Sequence, residues 1–444
     1  AQLSRGLGDV YKRQLLNMEK NSYSVAVLGA GNIGSAVISR LQNLDNDILQ
    51  LVIKKVLVSD LSKDREIDNE IITDNFDEIL NDDSIDLVIE VLGGIDPGKE
   101  YIKALLSSGK SVITANKDIV ADCGEELVSL AIDNNSCLYF EAAVAAGIPI
   151  LKPLIESLRG EELTRVSGII NGTSNYMLTS MEEGSSYEDA LSTAQELGYA
   201  EPDPTNDVEG IDAKYKAMIL SLLCFGVSPD IEEVFTEGIS KITKDDFDWA
   251  SRLDKTIKLV AQIDNNHEGF NARVYPVLID QKHPLASIRG ALNAVVVEGE
   301  NIDRLVFSGP GAGADPTASA IVGDVLSACH QLGSNQSNWY PLRENKGNNR
   351  NFENVQSSWF IRLSVNDEPG VLASIAGAFG ENNVSIESVI QEGRGDQAEL
   401  VLVTHEAPEK NLNNSIEQIT SLSAVTTVTS CLLYTSDAAD DRMR

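Results

Sequence analysis

Residues Ser24–Leu44 read SVAVLGAGNIGSAVISRLQNL, and this stretch decides the fold. SVAVLG is a short apolar run closed by glycine, the pattern of a buried strand, and SAVISRLQNL continues with the apolar spacing of a helix. Between them Gly29, Gly31 and Gly34 form a G-x-G-x-x-G. Glycine triplets recur by chance, so the spacing alone is weak. After an apolar strand and at the opening of a helix, it is the context that a dinucleotide-binding turn requires. The first glycine permits the tight turn, the second admits a pyrophosphate against backbone, and the third lets helix and strand pack closely. Free N–H groups of the first helical turn, around Asn32 and Ile33, would then face the phosphates.

Working outward, the same alternation repeats. KKVLVS (Lys54–Ser59) reads as a second strand, DEILNDDSIDLVIEVLGG (Asp77–Gly94) as helix then strand, and YIKALLSSGKSVITANK (Tyr101–Lys117) as another such unit. CLYFEAAV (Cys137–Val144) supplies one more strand. Strands alternating with helices imply an α/β, Rossmann-type doubly wound parallel sheet over residues 18–142. The second strand ends at Ser59 and Asp60, where a ribose should lie. An acid there suits a free 2′-hydroxyl, whereas Lys63 or Arg65 could pair with a 2′-phosphate. The expected cofactor is therefore NAD(P), with the choice left open.

Past residue 142 the texture changes. IPILKPLIESLRG and IDAKYKAMILSLLCFG read as longer helices, while VSGIING, ARVYPVLI and NAVVVEGE read as strands of a second sheet. Residues 143–308 are expected to form an α+β substrate and dimerisation domain. Residues 309–332 read as a glycine-rich turn and a helix returning to the nucleotide domain. Residues 333–356 are polar and asparagine-rich, the composition of a linker. Residues 357–430 form a third unit, with WFIRLSV, VSIESVIQ and AELVLVTH as strands and VLASIAGAFGENN and NLNNSIEQITSL as helices.

The ends are set aside. SRGLGDVYKRQ (Ser4–Gln14) and CLLYTSDAAD (Cys431–Asp440) back-translate to companion sequencing adapters. Residues 1–17 and 431–444 are therefore read as cloning or assembly scars and excluded from fold reasoning, with Met18 as the expected start. No run approaches the roughly 20 apolar residues of a membrane span, and nothing after Met18 resembles a secretory signal, so a soluble, cytoplasmic protein is expected. The formal charge of −33 makes nucleic acid and anionic lipid poor partners. Cys123, Cys137, Cys224 and Cys329 are scattered, without CxxC spacing or neighbouring histidines, and are expected to be reduced thiols.

The segment Gly198–Lys216, GYAEPDPTNDVEGIDAKYK, carries the chemistry. Its prolines keep the first half non-helical, and a helix should begin near Gly210 or Ile211. Asp212 and Lys216, four residues apart, then share one helix face. An ordinary surface ion pair, worth under about 1 kcal/mol, uses the same spacing. The chain resembles homoserine dehydrogenase from about Tyr23 onward, through GAGNIG, EVLGG (Glu90–Gly94), VITANK (Val112–Lys117), EAAVAAGIPI (Glu141–Ile150), NGTSNYML (Asn171–Leu178), the Gly198–Lys216 block and GPGAGADPTASAIVGD (Gly309–Asp324).

That resemblance implies interconversion of L-aspartate 4-semialdehyde and L-homoserine with NAD(P)H. Lys216 matches the family's proton-transfer position, and Lys117 matches a second lysine at the same site. An unperturbed lysine, near pKa 10.4, is a sluggish acid at neutrality, and a neighbouring cation with partial burial is the general way to correct that. Asp212 and Glu201 match positions that hold the substrate amino group and orient the lysine. Asp207 is the carboxylate left where Asn206 replaces an acid of some relatives. Asn171, Gly172 and Thr173 resemble the substrate-contacting turn, although an ordinary helix cap uses the same residue types. Gly311 in GPGAG matches a return to the nicotinamide side of the cofactor. The family's structural monovalent cation (sodium or potassium) would be held by Glu141 and the carbonyls of Val144, Ala146 and Ile148, with Ala146 standing where glycine is common.

RLSVNDEPGVLASIAGAFGENNVSIESV (Arg362–Val389) resembles an ACT domain, a ferredoxin-like α+β unit. It implies a threonine effector, for which Asn366, Asp367 and Gly370 are the first residues to consider, and a homodimer or homotetramer. Two rivals remain. Another ACT-bearing dehydrogenase, acting on a 2-hydroxy acid, would rely on a histidine, yet His267, His283, His330 and His405 match no such motif. A regulatory protein without catalysis would have no need of Glu201, Asp212, Lys216 and Lys117 together.

Overall fold

The computed structural model describes residues 22–44, 49–266, 269–333, 342–344, 352–393 and 398–435. The expected N-terminal scar, Met18, most of the linker and residues 436–444 lie outside them. The chain divides into two compact units. The described residues of Ala1–Gly160, Leu222–Ser228 and Pro310–Glu344 form one, and those of Glu161–Ser221, Pro229–Gly309 and Asn345–Arg444 form the other.

The first unit is a six-stranded parallel sheet in the order β3-β2-β1-β4-β5-β6. Its strands are β1 (Ser22–Leu28), β2 (Gln50–Leu57), β3 (Ile72–Thr73), β4 (Leu87–Glu90), β5 (Ser111–Thr114) and β6 (Leu138–Tyr139). The order reverses between β1 and β4, the switch point outside which such sheets bind ligands. Val25, Val27, Leu87, Ile89 and Ile113 are fully buried, as strands covered on both faces must be. The helix Ala314–Gly333 packs Ala318, Ile321, Val325 and Ala328 into the same core as Val37, Ile38 and Leu41 of the helix Asn32–Gln42. Cys123, Cys137, Cys224 and Cys329 are buried free thiols. Two local expectations change. The strand expected at 137–144 stops at Tyr139 and turns into a 3₁₀ turn at Glu141–Ala143. The helix expected from Ile148 is a π-turn over Pro153–Ser157, since Pro153 brings no N–H to an α-helical ladder.

The second unit is built on a mixed sheet. Its strands are β7 (Leu163–Ile169), β8 (Phe235–Thr236), β9 (Lys255–Asn266), β10 (Gly269–Asp280), β11 (Leu292–Gly299), β12 (Asp303–Pro310), β13 (Gln356–Val365), β14 (Ile386–Gly393), β15 (Ala398–Thr404), β16 (Ala407–Pro408) and β17 (Val425–Tyr434). The main path is β12-β11-β7-β9-β10-β17-β13-β15-β14. The C-terminal part has the βαββαβ order of an ACT domain, with helices Val371–Glu381 and Glu409–Thr420. Its strands continue the substrate sheet, because β17 pairs antiparallel with β13 and parallel with β10. The pairing with β10 uses Leu433 and Tyr434. Cys431–Tyr434, excluded above with the C-terminal scar, thus complete β17, for a physical reason: Leu432 and Leu433 are buried and the strand opposite them is already in place.

Glu409 opens its helix almost fully buried. Burial pushes its carboxyl up to about 7, against the opposing pull of a Ser357 hydrogen bond and of Arg273. A carboxyl raised by folding contributes stability that is complete below the ordinary carboxylate range and lost as pH rises through about 7. Glu409→Gln holds the neutral form at every pH. It is expected to raise the melting temperature at about pH 8 and to change it far less at about pH 5; thermal denaturation at both values checks this.

Candidate active site

In the first unit the glycine turn is shaped by contact. Gly29 has φ +107, and a Cβ there would lie 2.8 Å from the Val91 carbonyl oxygen. A Cβ on Gly34 would fall 2.1 Å from the Gly29 carbonyl oxygen, so this residue sets how closely helix meets strand. Nothing lies within 4 Å of a Cβ on Gly31, the position a pyrophosphate approaches. Gly31 caps the helix Asn32–Gln42 with no side-chain bond, leaving the N–H groups of its first turn to an anion.

Beyond β2, Ser59, Asp60 and Lys63 are exposed. Asp60 accepts from the Ser62 N–H at 2.9 Å and the Ser62 hydroxyl at 2.6 Å, which hold its carboxyl below the usual carboxylate range. The Arg65 guanidinium donates to the Asp60 and Lys63 carbonyls at 2.8 and 2.9 Å, both through Nη1.

A buried bracket closes the other side of the crevice. Glu90, fully buried at the end of β4, accepts from the Leu92 N–H at 2.8 Å and the Thr114 hydroxyl at 2.5 Å. Burial pushes its carboxyl up. Asn116 takes the next contacts, donating to the Gly94 carbonyl at 2.6 Å and capping the following helix through Ile119 N–H. Lys117 is the first residue of that helix, half-buried, its ammonium 3.7 Å from Asp118. Gly311 is buried ahead of the helix Ala314–Gly333.

In the second unit, β7 runs through Ile170 into Asn171, which is extended (φ −125, ψ 118) and caps the helix Gly172–Glu182 by accepting from Ser174 N–H. The acidic loop is less irregular than the sequence implied. Right after Pro204 it makes a helical turn, Thr205–Val208, started by Asp203 accepting from the Thr205 N–H and hydroxyl. The helix Ile211–Phe225 then carries Asp212 and Lys216.

Their geometry is compact. The Lys216 ammonium donates to Asp212 Oδ2 at 2.6 Å and to the Ile170 carbonyl at 2.8 Å. The Asn171 amide donates to that same Asp212 oxygen at 2.9 Å and to Asp207 Oδ1 at 2.7 Å. Lys216 and Asp212 side chains are only 11% and 12% exposed, so this is no surface ion pair. Burial pushes the Asp207 carboxyl up, against the Asn171 hydrogen bond. Thr173 donates to the Tyr199 carbonyl at 2.7 Å, tying the loop to the helix start. Glu201 stands apart: it is exposed, and among the described residues it contributes only its backbone carbonyl, to Gln195.

Residues 29–141 match the model of the homoserine dehydrogenase NAD-binding domain, residues 149–326 the model of homoserine dehydrogenase itself, and residues 359–424 that of the ACT domain. The homoserine dehydrogenase of Bacillus subtilis is 39% identical over 419 residues, which span 91% of this chain and 96% of that protein. The chain belongs to the homoserine dehydrogenase family. It is an oxidoreductase with a nucleotide cofactor. A crystal structure of a homoserine dehydrogenase from Thiobacillus denitrificans superposes with a TM-score of 0.88 at 34% identity, covering 94% of this chain and 98% of that one. A hyperthermophilic archaeal homoserine dehydrogenase mutant in complex with NADPH matches with a TM-score of 0.60 at 27% identity, covering 70% of this chain and 98% of that one.

The residues expected to hold a monovalent cation all lie in the 141–152 turn. Both oxygens of Glu141 accept backbone N–H groups, from Ile150, Leu151 and Lys152 at 2.6–2.8 Å, which ties the 141–152 turn. The carbonyls of Val144, Ala146 and Ile148 accept no hydrogen bond among the described residues. Asp324 lies close by, accepting from the Glu141 N–H at 2.9 Å. Burial holds the Glu141 and Asp324 carboxyls above their ordinary range. Asp324, Glu90 and Asn116 do not stand out in the sequence, although each lies in or beside a quoted motif; only their burial reveals them.

The turn makes a separable prediction. Gly31→Ala is expected to weaken nucleotide binding by about tenfold, 1.4 kcal/mol, with the melting temperature unchanged. Gly34→Ala, forced against the Gly29 carbonyl, is expected to cost about 1–3 kcal/mol of stability as well. Thermal shift with and without NADPH distinguishes the two.

Proposed function

We propose that the chain interconverts L-aspartate 4-semialdehyde and L-homoserine, with Lys216 as the proton donor to the carbonyl oxygen. One observation carries the assignment. An ammonium has three N–H donors, and among the described residues Lys216 uses two, on Asp212 and Ile170. Those two fix its direction, and the third is left for a substrate oxygen. When bound, the nicotinamide supplies or accepts the hydride. Asp212 and Asp207, joined by the Asn171 amide, form the negative pair that would take the substrate ammonium. Glu201 is assigned to the same task on the family motif, and Lys117 to the second cation on its motif alone. Gly172 and Thr173 shape the turn on which substrate rests.

For the cofactor we favour NADPH. The Asp60 Oδ1 is taken up by Ser62, which leaves one carboxylate oxygen to meet a ribose hydroxyl. Arg65 is anchored through one nitrogen beside Lys63, a suitable pair for a 2′-phosphate, and the archaeal relative is an NADPH complex. Glu141 with the Val144, Ala146 and Ile148 carbonyls would hold a structural sodium or potassium ion. The ACT part supports an amino-acid effector, for which we propose threonine at Asn366, Asp367 and Gly370, in a cytoplasmic homodimer or homotetramer. Asn366 is held by its N–H on the Ala424 carbonyl, and Asp367 accepts from Gln391.

The test is NADPH oxidation with aspartate semialdehyde, repeated with added threonine. Lys216→Ala is expected to lose at least about 100-fold in kcat; a near-normal rate would remove Lys216 from this role. Arg65→Ala is expected to bring the kcat/KM ratio of NADPH over NADH down by about tenfold, one charge-assisted contact, as measured by the same oxidation with each cofactor.

A further inference from the structure

Lys258, on β9, is fully buried, which is costly for a cation and rarely kept without cause. Its ammonium donates to the Ile288 carbonyl at 2.7 Å and to Asn175 Oδ1 at 3.3 Å. Asn175 then donates through Nδ2 to the carbonyls of Ile288, Gly290 and Leu292 at 3.3, 2.9 and 3.0 Å. One turn further, the Thr179 hydroxyl donates to the Asn175 carbonyl at 2.7 Å and accepts from Gly290 N–H at 3.0 Å. At the end of the helix, Arg289 pairs with Glu182 and Glu183 at 2.6 and 3.1 Å.

These contacts lie along one face of the helix Gly172–Glu182, at the spacing that stacks side chains turn upon turn. The stripe begins at Asn171. The segment 288–292 is therefore laced to the whole length of the helix that Asn171 caps. At that end the fit leaves no slack, since a Cβ on Gly172 would lie 2.9 Å from the Ala291 carbonyl oxygen.

We infer that Lys258 is a positioning residue for the substrate turn, acting through Asn175. The carbonyls of the segment turn Nδ2 toward them, and the ammonium is the donor that meets Oδ1 on the other side. Without that donor Oδ1 is left buried with no hydrogen-bond donor among the described residues, and Asn175 must shift to find one. The helix then loses its register against the segment, and Asn171 no longer holds Asp207 and Asp212 at a fixed separation beside Lys216. A leucine or methionine would fill the space without the desolvation that draws the Lys258 pKa down to about 8, but would fix no amide. The inference rests on the reading of Asp207, Asp212 and Lys216 as the substrate site.

The experiment uses the full chain with saturating NADPH and varied aspartate semialdehyde. Lys258→Met is expected to raise KM for the semialdehyde and lower kcat, together by about 100-fold in kcat/KM, the scale of a displaced catalytic geometry. NADPH affinity, measured by fluorescence titration, stays unchanged. Asn175→Leu is expected to reproduce the loss, and the double variant to be no worse than the poorer single one, because both break one linkage. Should Lys258→Met yield no folded protein, Asn175→Leu carries the same comparison. A kcat/KM within a few fold of the parent, single losses that multiply in the double variant, or an equal loss of NADPH affinity would each overturn the inference. The parent's own rate in this assay tests the substrate reading, so the two failures are distinguishable.

Discussion

One oxygen atom organises the second unit. Asp212 Oδ2 receives both the Lys216 ammonium and the Asn171 amide, and nearly every local feature holds these three groups at one point. β7 ends so that the Ile170 carbonyl meets the ammonium, and Asn171 follows in an extended conformation that both caps a helix and reaches back to two carboxylates. Burying a lysine and a carboxylate costs several kcal/mol per ion before their attraction is counted. Such a pair adds little to stability, and its value lies in direction: an ammonium fixed on two sides has one way left to point.

The first unit solves a different problem, the approach of a polyanion to a chain of net charge −33. At the glycine turn it does so with backbone. Gly29 and Gly34 bring strand and helix together until no side chain fits between them, and the helix N-terminus has no side-chain cap over its N–H groups. On the far side of the switch point Glu90 is kept inside the sheet by two hydrogen-bond donors and fixes the turn into Asn116 and Lys117.

Much of this is legible in the residues, because it rests on local rules. A glycine triplet between an apolar strand and a helix has few uses besides a nucleotide turn, and the alternation that follows allows few folds. The i, i+4 spacing of Asp212 and Lys216 places them on one face. Burial separates this pair from a surface one, and burial depends on partners more than 40 residues away, Ile170 and Asn171. The strand β9 escapes a reading of the sequence, since Lys255 and Lys258 interrupt its apolar pattern; both lysines are in fact inside. Glu201, conspicuous in its motif, stands exposed. Leu432 and Leu433 are hidden in a stretch that reads as a scar, although an apolar pair after an alternating run fits the strand they complete.

The seam between β10 and β17 bears on how the chain tolerates being shortened. β10 is paired along one whole side by β9, but on its other side, among the described residues, by β8 at Arg273 and Val274 and by β17 at Val277 and Leu278. A protein cut in the asparagine-rich stretch before β13 would leave that second edge bare over an apolar stretch of the strand, with amides and carbonyls ready to recruit a foreign strand. The ACT part thus also covers this edge of the sheet.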